Sequence, residues 1–485
     1  MSLVTPPART PAAPQSEWVS LLLAAAGLAL FGFAPLPLAL VGVVLYAGAI
    51  GYRPSTCVPT TILALPFYLH PRSIFGLDLS AAELAILVGA LSVLVAARWG
   101  DRWGAGPIRW PRPGVYDAAA AAFLAAALLS LLVTEYPKQS LRELRWLIVE
   151  PIVLGYIARV TLLPPAPVQR VLWSIVVAGA LAAVISVASL AFEGQLFDSA
   201  ARAAAPYLSA NHLGLFLGRA AAVALAIALF TGPPIASPPP RLAVLQRPLA
   251  WAALAVIGVA LVRSVSFGAL IGSGAAVFAL TARRGWRWLA ALAVIFAVVA
   301  LAGLVLLPPE RTIGRFEGET GTGLFRIEIW RSSSRMIADH PVLGVGLDNF
   351  LYLYRSVYIE PEAWPEPNIS HPHNWVLNFW LELGVLGLLA AVALIVWTAR
   401  AAHRLFYNGG APVTRVLAVA AIGVLIDTLV HGLFDNSYFL VDAAALWWVM
   451  TALLADAVEM LPRKVAPVAG TAARTSSTGM ADEIG

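Results

Sequence analysis

The stretch from Asn368 to Leu388, NISHPHNWVLNFWLELGVLGL, is the part of the chain around which the rest is interpreted. It opens as a polar segment with a proline between two histidines, and it passes without a linker into an apolar helix. Pro372 is expected near the first helical turn, where its missing N–H costs nothing. His373 and Asn374 are therefore expected at a helix N-terminus at the edge of a membrane, where an imidazole beside free N–H groups suits an anionic ligand and proton transfer. The alternative is that His373 only caps a transmembrane helix.

Composition identifies the class of protein. The 485 residues are 60% hydrophobic and 12% charged, and their mean hydropathy is +0.80. Apolar runs of about 17 to 25 residues recur along the chain, which is typical of a polytopic α-helical membrane protein. The single cysteine, Cys57, excludes an internal disulfide and a cysteine-rich metal site. The net charge of +5 is attributed to basic residues at the cytoplasmic ends of the helices and not to a nucleic-acid surface, so no nucleic-acid partner is expected.

Hydropathy predicts an all-α polytopic membrane protein with about 12–14 transmembrane helices and one large loop that itself contains helices. Five regions are expected: a disordered tail (1–17), an N-terminal transmembrane bundle (18–307), the large loop (308–372), C-terminal transmembrane helices (373–456) and a second disordered tail (457–485). The predicted spans are 18–34, 36–52, 57–70, 79–97, 116–133, 141–160, 168–192, 207–230, 248–264, 266–282, 287–307, 374–399, 413–434 and 436–456. Segment 141–160 is either an amphipathic interfacial helix or a span with its charges turned inward.

The distribution of lysine and arginine sets the orientation. When both termini are placed in the cytoplasm, most of these residues fall in inside loops, as the positive-inside rule expects. The large loop 308–372 then lies outside, together with His373 at its end.

The large loop is patterned like a folded segment. Gly323–Asp339 has helical spacing, and Arg331 and Arg335, four residues apart, share a face. Its apolar side is formed by Phe325, Ile329 and Met336 or Ile337. Asn349–Tyr358 carries aromatic residues suited to stacking on sugars: Phe350, Tyr352, Tyr354 and Tyr358. The alternatives are that the arginines are solvated or bind lipid headgroups and that the aromatic residues anchor the membrane interface.

Further polar groups are expected at the same side of the membrane. They are Arg202, Asn211 with His212, and Arg263. Arg219, deeper in its span, is the most anomalous, because an arginine at membrane depth is costly unless it is paired or faces a wet cavity. Converging guanidinium groups and one histidine would describe a phosphate-binding site with a base beside it.

Three stretches carry a resemblance to a known family. His373-Asn374, then nine residues, Gly384, two residues and Gly387 form a complete ligase signature. The loop contributes Phe325-Arg326, Trp330 and the run from Met336 to Gly346, and Ser209 to Gly214 resembles an Asn-x-Leu-Gly element. In these stretches the chain resembles the O-antigen ligase and O-antigen polymerase superfamily of bacterial inner-membrane glycosyltransferases.

The resemblance implies a GT-C-like fold and transfer of a glycan from undecaprenyl diphosphate to an acceptor hydroxyl at the periplasmic face of the inner membrane. Its expected partners are the lipid-linked glycan donor, a lipid or glycan acceptor and membrane lipids, and the oligomeric state is left open. His373 is expected to be the base of an inverting displacement. The expected substrate-binding residues are Arg326, Arg263, Arg202, Asn374, Arg331, Asn211 and His212.

No metal and no other cofactor are expected. The sequence has no Asp-x-Asp element to hold a divalent ion, so arginines are the available source of positive charge for the diphosphate. The sequence departs from the family where Phe267 replaces an arginine in a Ser-Arg-Gly/Ala element. Arg263 lies about one turn earlier if the helix continues, so one hypothesis is that it takes over that contact, and the alternative is that it only anchors its helix at the headgroups.

Other functions stay open from the sequence. The superfamily also contains polymerases that extend a polysaccharide and ligases that act on protein, and nothing in the sequence identifies the acceptor. A secondary transporter of a small anion would use the arginines as its binding site, near the midplane of the membrane. A metal site built from His371 and His373, with His340 and Asp339 as further candidate ligands, is the remaining alternative.

Overall fold

The computed structural model describes residues 14–74, 76–103, 110–162, 166–198, 200–232, 241–294 and 322–461. Within these ranges the regular structure is helical except for one hairpin, in which β1 (Arg72–Ile74) pairs antiparallel with β2 (Leu77–Leu79). Most of the two predicted tails and the first part of the predicted large loop lie outside the described residues. The all-α class is confirmed.

The N-terminal region contains eleven labelled helices: α1 (Pro14–Phe33), α2 (Leu36–Tyr52), α3 (Cys57–Ala64), α4 (Ala81–Trp103), α5 (Val115–Ser130), α6 (Pro137–Glu143), α7 (Glu150–Thr161), α8 (Ala166–Phe192), α9 (Ala210–Phe230), α10 (Arg241–Ser264) and α11 (Phe267–Arg284). A π-helical turn, Leu144–Val149, joins α6 to α7. Residues 286–294 are also helical. The C-terminal region contains α12 (Thr322–Asp339), α13 (Phe350–Leu353), α14 (Trp375–Asn408), α15 (Pro412–His431) and α16 (Val441–Glu459).

Seven helices of the described residues are long and apolar enough to cross a membrane, which confirms a multi-pass protein. They are α4, α8, α9, α10, α14, α15 and α16. An eighth span results if α2 and the segment Pro54–Phe67, bent by 118° at their junction, count together. Two shorter apolar helices cover Glu17–Phe33 and Val115–Ser130. Fewer helices meet this criterion than the 12–14 spans predicted, partly because the predicted span 287–307 extends beyond the described residues.

Helix α9 is the centre of the bundle. It packs against α8, α10, α11 and α15, and 94% of its apolar window is buried inside the protein. A helix that is apolar on every side is stable in such a position, because each face contacts a neighbouring helix and not lipid. The polar side chain of Arg219, in the middle of α9, is therefore enclosed by protein.

Segment 141–160 divides its charges between surface and interior: Arg142 and Arg145 are exposed, whereas Glu150 and Arg159 are buried, so neither predicted alternative describes the whole segment. The guanidinium of Arg159 is fully buried and lies 2.6 Å from Asp117, 2.9 Å from Asp456 and 2.6 Å from Glu459. Such pairing offsets the cost of placing an arginine inside a membrane protein.

Helix α12 forms as predicted, and it has a small core of its own. Ile329 and Met336 are buried in a cluster with Phe350 and Tyr354. The aromatic sugar-stacking surface predicted for 349–358 is therefore wrong for most of its members, because the large aromatic side chains supply the apolar area that this segment needs to fold. The ring of Tyr352 stacks on Tyr136, with 4.1 Å between the ring centroids.

Helix α14 is interrupted at Gly384, where φ is +69°. The segment before α13 inserts at this break: the Val345 N–H donates to the Leu381 carbonyl at 2.7 Å, and the Val385 N–H donates to the Val342 carbonyl at 3.1 Å. A Cβ atom at position 384 would overlap the carbonyl oxygen of Val342. Glycine is thus required there by both conformation and space, which gives a physical reason for its place in the ligase signature.

Candidate active site

The N-terminus of α14 positions the two histidines. Asn374 caps the helix, and its side-chain oxygen accepts hydrogen bonds from the N–H groups of Val376 (3.0 Å) and Leu377 (3.3 Å). His373 precedes this cap with φ at +52°, a left-handed conformation that few residues other than glycine adopt. Pro372 lies just before the helix, between the two histidines and ahead of the Asn374 cap. The helix N-terminus at His373 and Asn374 is where the sequence predicted it.

Asp435 completes the group, although no sequence motif pointed to it. One carboxylate oxygen of Asp435 lies 3.2 Å from His371 Nε2 and 3.2 Å from His373 Nδ1. Asp435 follows α15, and the Trp375 N–H donates to the Gly432 carbonyl at 2.7 Å, which ties the two helix ends together. Two predicted spans, 374–399 and 413–434, separate residues 372 and 435, so both positions were predicted on the same side of the membrane. That shared side was the only indication in the sequence that they could meet.

The hydrogen bonds indicate which ring nitrogens carry protons. An ionised carboxylate only accepts, so His371 Nε2 and His373 Nδ1 are the donors to Asp435. The other nitrogen of His371 lies 3.0 Å from the hydroxyl of Ser370, from which it accepts. In the neutral ring of His373, this tautomer leaves Nε2 without a proton, as a general base requires.

The charge states of two members follow from their surroundings. Burial raises the pKa of Asp435, but the hydrogen bonds from His371 and His373 outweigh burial and hold that pKa well below its usual range. Burial, followed by the neighbouring His373, lowers the pKa of His371 even though Asp435 acts in the opposite direction. The site at neutral pH therefore contains an ionised carboxylate and a neutral His371. That carboxylate can stabilise the positive charge that His373 gains when it accepts a proton.

Arg326 supplies a cation beside the histidines. Helix α12 is held over their loop by Trp330, whose indole N–H donates to the Pro372 carbonyl at 2.9 Å. Arg326 lies one turn earlier on α12 and is half-buried. It is close enough to His371 for its positive charge to contribute to the lowered pKa of that histidine. Its guanidinium makes no hydrogen bond or ion pair within the part of the chain that the structure describes. It is thus available to an anionic ligand.

The structure places the other predicted residue of this helix away from the histidines. Arg331 is exposed and pairs with Glu328 at 2.8 Å. Its neighbour Arg335 pairs with Glu360 at 2.9 Å. Both side chains lie on the outer face of α12.

Arg202 and Arg263 bind backbone carbonyl groups. Arg263 Nη2 donates to the carbonyls of residues 195 (3.2 Å), 198 (3.0 Å) and 201 (3.3 Å). Arg202 donates to the Ser264 carbonyl at 2.8 Å and to the side chain of Asn211 at 2.9 Å. The two arginines and Asn211 thus hold the segment before α9 against the end of α10.

The premise that Arg263 and Phe267 share a continuous helix is wrong. Helix α10 ends at Ser264, α11 begins at Phe267, and Val265 between them has φ at +46°. The ring of Phe267 contacts that of Phe434, with 6.0 Å between centroids. Arg263 therefore does not reach the position of the missing arginine along a helix face.

His212, in the Asn-x-Leu-Gly stretch, lies near the site. The residue is half-buried, and Asp435 and His371 lie near enough to act on its ring electrostatically. Its Nδ1 atom has no hydrogen-bond partner among the described residues.

His371, His373 and Asp435 also have the composition of a metal site. One donor atom of each lies within 4.8 Å of the others, and two imidazoles with one carboxylate suit a transition-metal ion. His340 and Asp339, the further metal ligands considered from the sequence, do not belong to this group. The carboxylate of Asp339 instead accepts a hydrogen bond from the hydroxyl of Tyr358 at 2.9 Å.

Comparisons with known proteins agree with the sequence resemblance. Residues 251–392 match the family model described as O-antigen ligase, a range that includes Arg326 and His373 but ends before Asp435. An O-antigen ligase of Pseudomonas aeruginosa (strain PAO1) is 29% identical over 211 residues, which cover 43% of this chain and 47% of that protein. A putative polysaccharide ligase of Rickettsia conorii is 27% identical over 112 residues, or 21% of this chain and 27% of that protein.

The chain spans less than half the length of either of these relatives. The matched family and both names agree with the enzyme class predicted from the sequence. The resemblance to the O-antigen ligase superfamily is therefore confirmed, and residues 251–392 carry it.

Proposed function

We propose that this chain is a membrane glycosyltransferase of the ligase type, which moves a glycan from a lipid diphosphate to an acceptor hydroxyl. The observation that carries the proposal is the pair His373–Asp435 beside the guanidinium of Arg326, with His373 Nε2 and that guanidinium both without a partner among the residues that the structure describes. Undecaprenyl diphosphate as the carrier is supported by the family resemblance.

The proposed chemistry is a single displacement. The acceptor oxygen forms a bond to the anomeric carbon as the bond from that carbon to the diphosphate oxygen breaks, so the configuration inverts. His373 Nε2 takes the proton of the acceptor hydroxyl, and Asp435 stabilises the resulting imidazolium. The diphosphate leaves with the bonding electrons, and Arg326 offsets the negative charge that develops on it.

The position of the site favours an enzyme over a transporter. Transport sites lie near the midplane of the membrane on broken helices. His371, His373 and Asp435 lie where α14 begins and where α15 has ended. Extension of a polysaccharide would use the same chemistry, with the growing glycan as acceptor.

Substitutions of the base and its partner test the mechanism. The purified protein in nanodiscs is supplied with a lipid-linked glycan and an acceptor, and transfer is followed by gel electrophoresis or mass spectrometry. We expect His373→Ala and Asp435→Asn to reduce transfer by about 10²- to 10⁴-fold, the range that a general base contributes. His403→Ala is the matched control, because His403 lies at the opposite end of α14 and is exposed. Full activity in His373→Ala would contradict the mechanism.

Chelation separates this mechanism from a metal-dependent one. With arginine-based charge stabilisation, transfer should survive an excess of EDTA. Loss of activity in EDTA, with recovery on adding a divalent metal, would favour a metal held by His371, His373 and Asp435.

The active site is proposed to face the periplasm at the inner membrane. Cysteines are introduced singly at Ser356, exposed near the site, and at Asn408, exposed at the far end of α14, after replacement of Cys57 by alanine. In intact cells an impermeant maleimide should label Ser356→Cys and spare Asn408→Cys. The reverse pattern would put the site on the cytoplasmic side.

A further inference from the structure

A buried arginine in the middle of the bundle is connected to the segment that carries Asp435. Arg219 is 2% exposed on α9, and its Nε donates to the hydroxyl of Thr428 at 3.2 Å. Its Nη2 donates to the carbonyl of Ser437, two residues after Asp435. Thr428 lies in the last turn of α15, so Arg219 binds the chain on both sides of Asp435.

Close packing of helices makes this arrangement possible. Asp427, His431 and Asp435 are spaced four residues apart, and the first two are fully buried against α9 and α11. A Cβ atom at Gly268 would lie 2.5 Å from the ring of His431, and one at Gly218 would overlap the carboxylate of Asp427. These glycines leave space for two polar side chains beside Arg219.

The hydrogen bonding of this cluster is incomplete among the described residues. Nη1 of Arg219, one oxygen of Asp427 and both ring nitrogens of His431 have no partner there. Unpaired buried polar atoms cost stability, and apolar side chains of similar size would fill the same volume without that cost. Packing alone therefore gives no account of an arginine at this position.

The turn that carries Asp435 is closed by its own side chains. The side-chain oxygen of Asn436 accepts from the Phe439 N–H at 2.9 Å, and its amide donates to the Phe439 carbonyl at 2.9 Å. Such a turn keeps its shape, but its position relative to the helices depends on contacts to the bundle. Arg219 provides contacts of this kind on either side of Asp435.

We propose that Arg219 is a positioning residue, which holds residues 432–440 on α9 so that Asp435 stays aligned with His373. The inference rests on the proposed function, because its consequence for turnover follows from the role of His373 as base. A displacement of about 1 Å at a catalytic group is enough to reduce turnover substantially.

Kinetics of Arg219 variants test the proposal. We expect Arg219→Met to lower kcat by about 10- to 100-fold, the usual effect of removing a group that orients a functional residue, with the KM for the lipid-linked donor little changed. Arg219→Lys should recover only part of the loss, because a single ammonium group does not reproduce the two directed contacts. Arg247→Met is the matched control, since Arg247 donates to the Ala228 carbonyl near the other end of α9. It should transfer at the wild-type rate.

A double variant separates positioning from general destabilisation. Because Arg219 acts through Asp435, Arg219→Met should cause little further loss when combined with Asp435→Asn. If the kcat loss of the double variant equals the product of the losses of the two single variants, the proposal is overturned. A raised KM for the donor in Arg219→Met, with kcat unchanged, would also overturn it, because Arg219 would then be a ligand of the donor. If Arg219→Met does not fold, Thr428→Val removes one of the two contacts and should give a smaller loss of the same kind.

Hydrogen exchange provides a readout that does not need activity. Amide exchange of residues 432–440 should be faster in Arg219→Met than in wild type and unchanged in Arg247→Met. Unchanged exchange, or a uniform rise along the whole bundle, would overturn the positioning role. Absence of transfer by the wild-type protein would instead reject the proposed function, and the exchange result would stand separately.

Discussion

Two buried arginines, Arg159 and Arg219, differ in the groups that surround their guanidinium charges. Arg159 is surrounded by three carboxylates, those of Asp117, Asp456 and Glu459, each within 2.9 Å. Arg219 donates to a hydroxyl and a carbonyl and keeps one amino group without a partner among the described residues. The first is neutralised by direct ion pairs. The hydrogen bonds of the second among the described residues go to neutral groups, and the carboxylates of Asp427 and Asp442 act on its charge from a greater distance.

The same contrast extends to the two ends of the bundle. At the end where α7 and α16 finish, arginine and carboxylates satisfy one another. At the end where α14 begins, Arg326 is unpaired within the described residues and His373 keeps a free nitrogen. Paired charges contribute to structure, whereas unpaired ones at a surface cleft are available for a ligand. The comparison predicts stability effects at the first end and activity effects at the second.

The largest expected effect is on stability at the paired end. Arg159→Met leaves three carboxylates without their cation, and we expect a loss of about 3–5 kcal/mol of folding free energy, as for other broken buried pairs. Thermal or denaturant unfolding in detergent measures it. Arg170→Met is the control, because the pair Arg170–Glu17 is partly exposed and should contribute far less. Equal stability of the two variants would remove the distinction drawn here.

The next effect is on activity at the open end. Arg326→Ala removes the available cation, and we expect transfer to fall by about 10²- to 10³-fold, the usual effect of losing one transition-state donor, with stability unchanged. Arg331→Ala, from the same helix but paired with Glu328 on the exposed face, should retain activity. Similar kinetics of the two variants, measured with the lipid-linked donor, would show that Arg326 has no special role.

A smaller effect is expected where the loop enters α14. Gly384→Ala forces a side chain into a left-handed conformation and onto the Val342 carbonyl, and we expect it to cost about 1–3 kcal/mol. Gly258→Ala is the control, because a Cβ there meets nothing within 4 Å. Unfolding curves compare them. If both variants are as stable as wild type, the break in α14 is not a fixed feature of the fold.

The smallest effect is a pH dependence at the histidine pair. The pKa of His371 is lowered in the folded protein, mainly by burial. At pH values below the ordinary histidine pKa of about 6.5, the unfolded chain therefore binds more protons at this residue than the folded protein does. The stability that this histidine contributes is fully present above that pH and is lost as the pH falls towards the folded pKa. His371→Asn should therefore flatten the fall in Tm between neutral and mildly acidic pH. An unchanged slope would assign the dependence to other groups.

The sequence by itself determined the features that depend on local pattern. Apolar runs gave the membrane class, helical spacing gave α12, and the helix start gave the place of His373. Each follows from residues close together in the chain, because hydropathy and helix capping act over one or two turns. Arg326 was found through the family resemblance and lies beside the histidines in the structure.

The tertiary structure decided which residues meet. Asp435 reaches His373 from 62 positions away, and only the packing of α14 against α15 brings them to 3.2 Å. Arg263 was predicted to bind substrate, yet its donors contact carbonyls of the 195–201 segment, because the chain turns at Val265 and does not continue as a helix. The sequence specifies the chemistry of a side chain, but packing between distant segments determines its partner. That packing decides whether a charged side chain stabilises the fold or is available to bind a ligand.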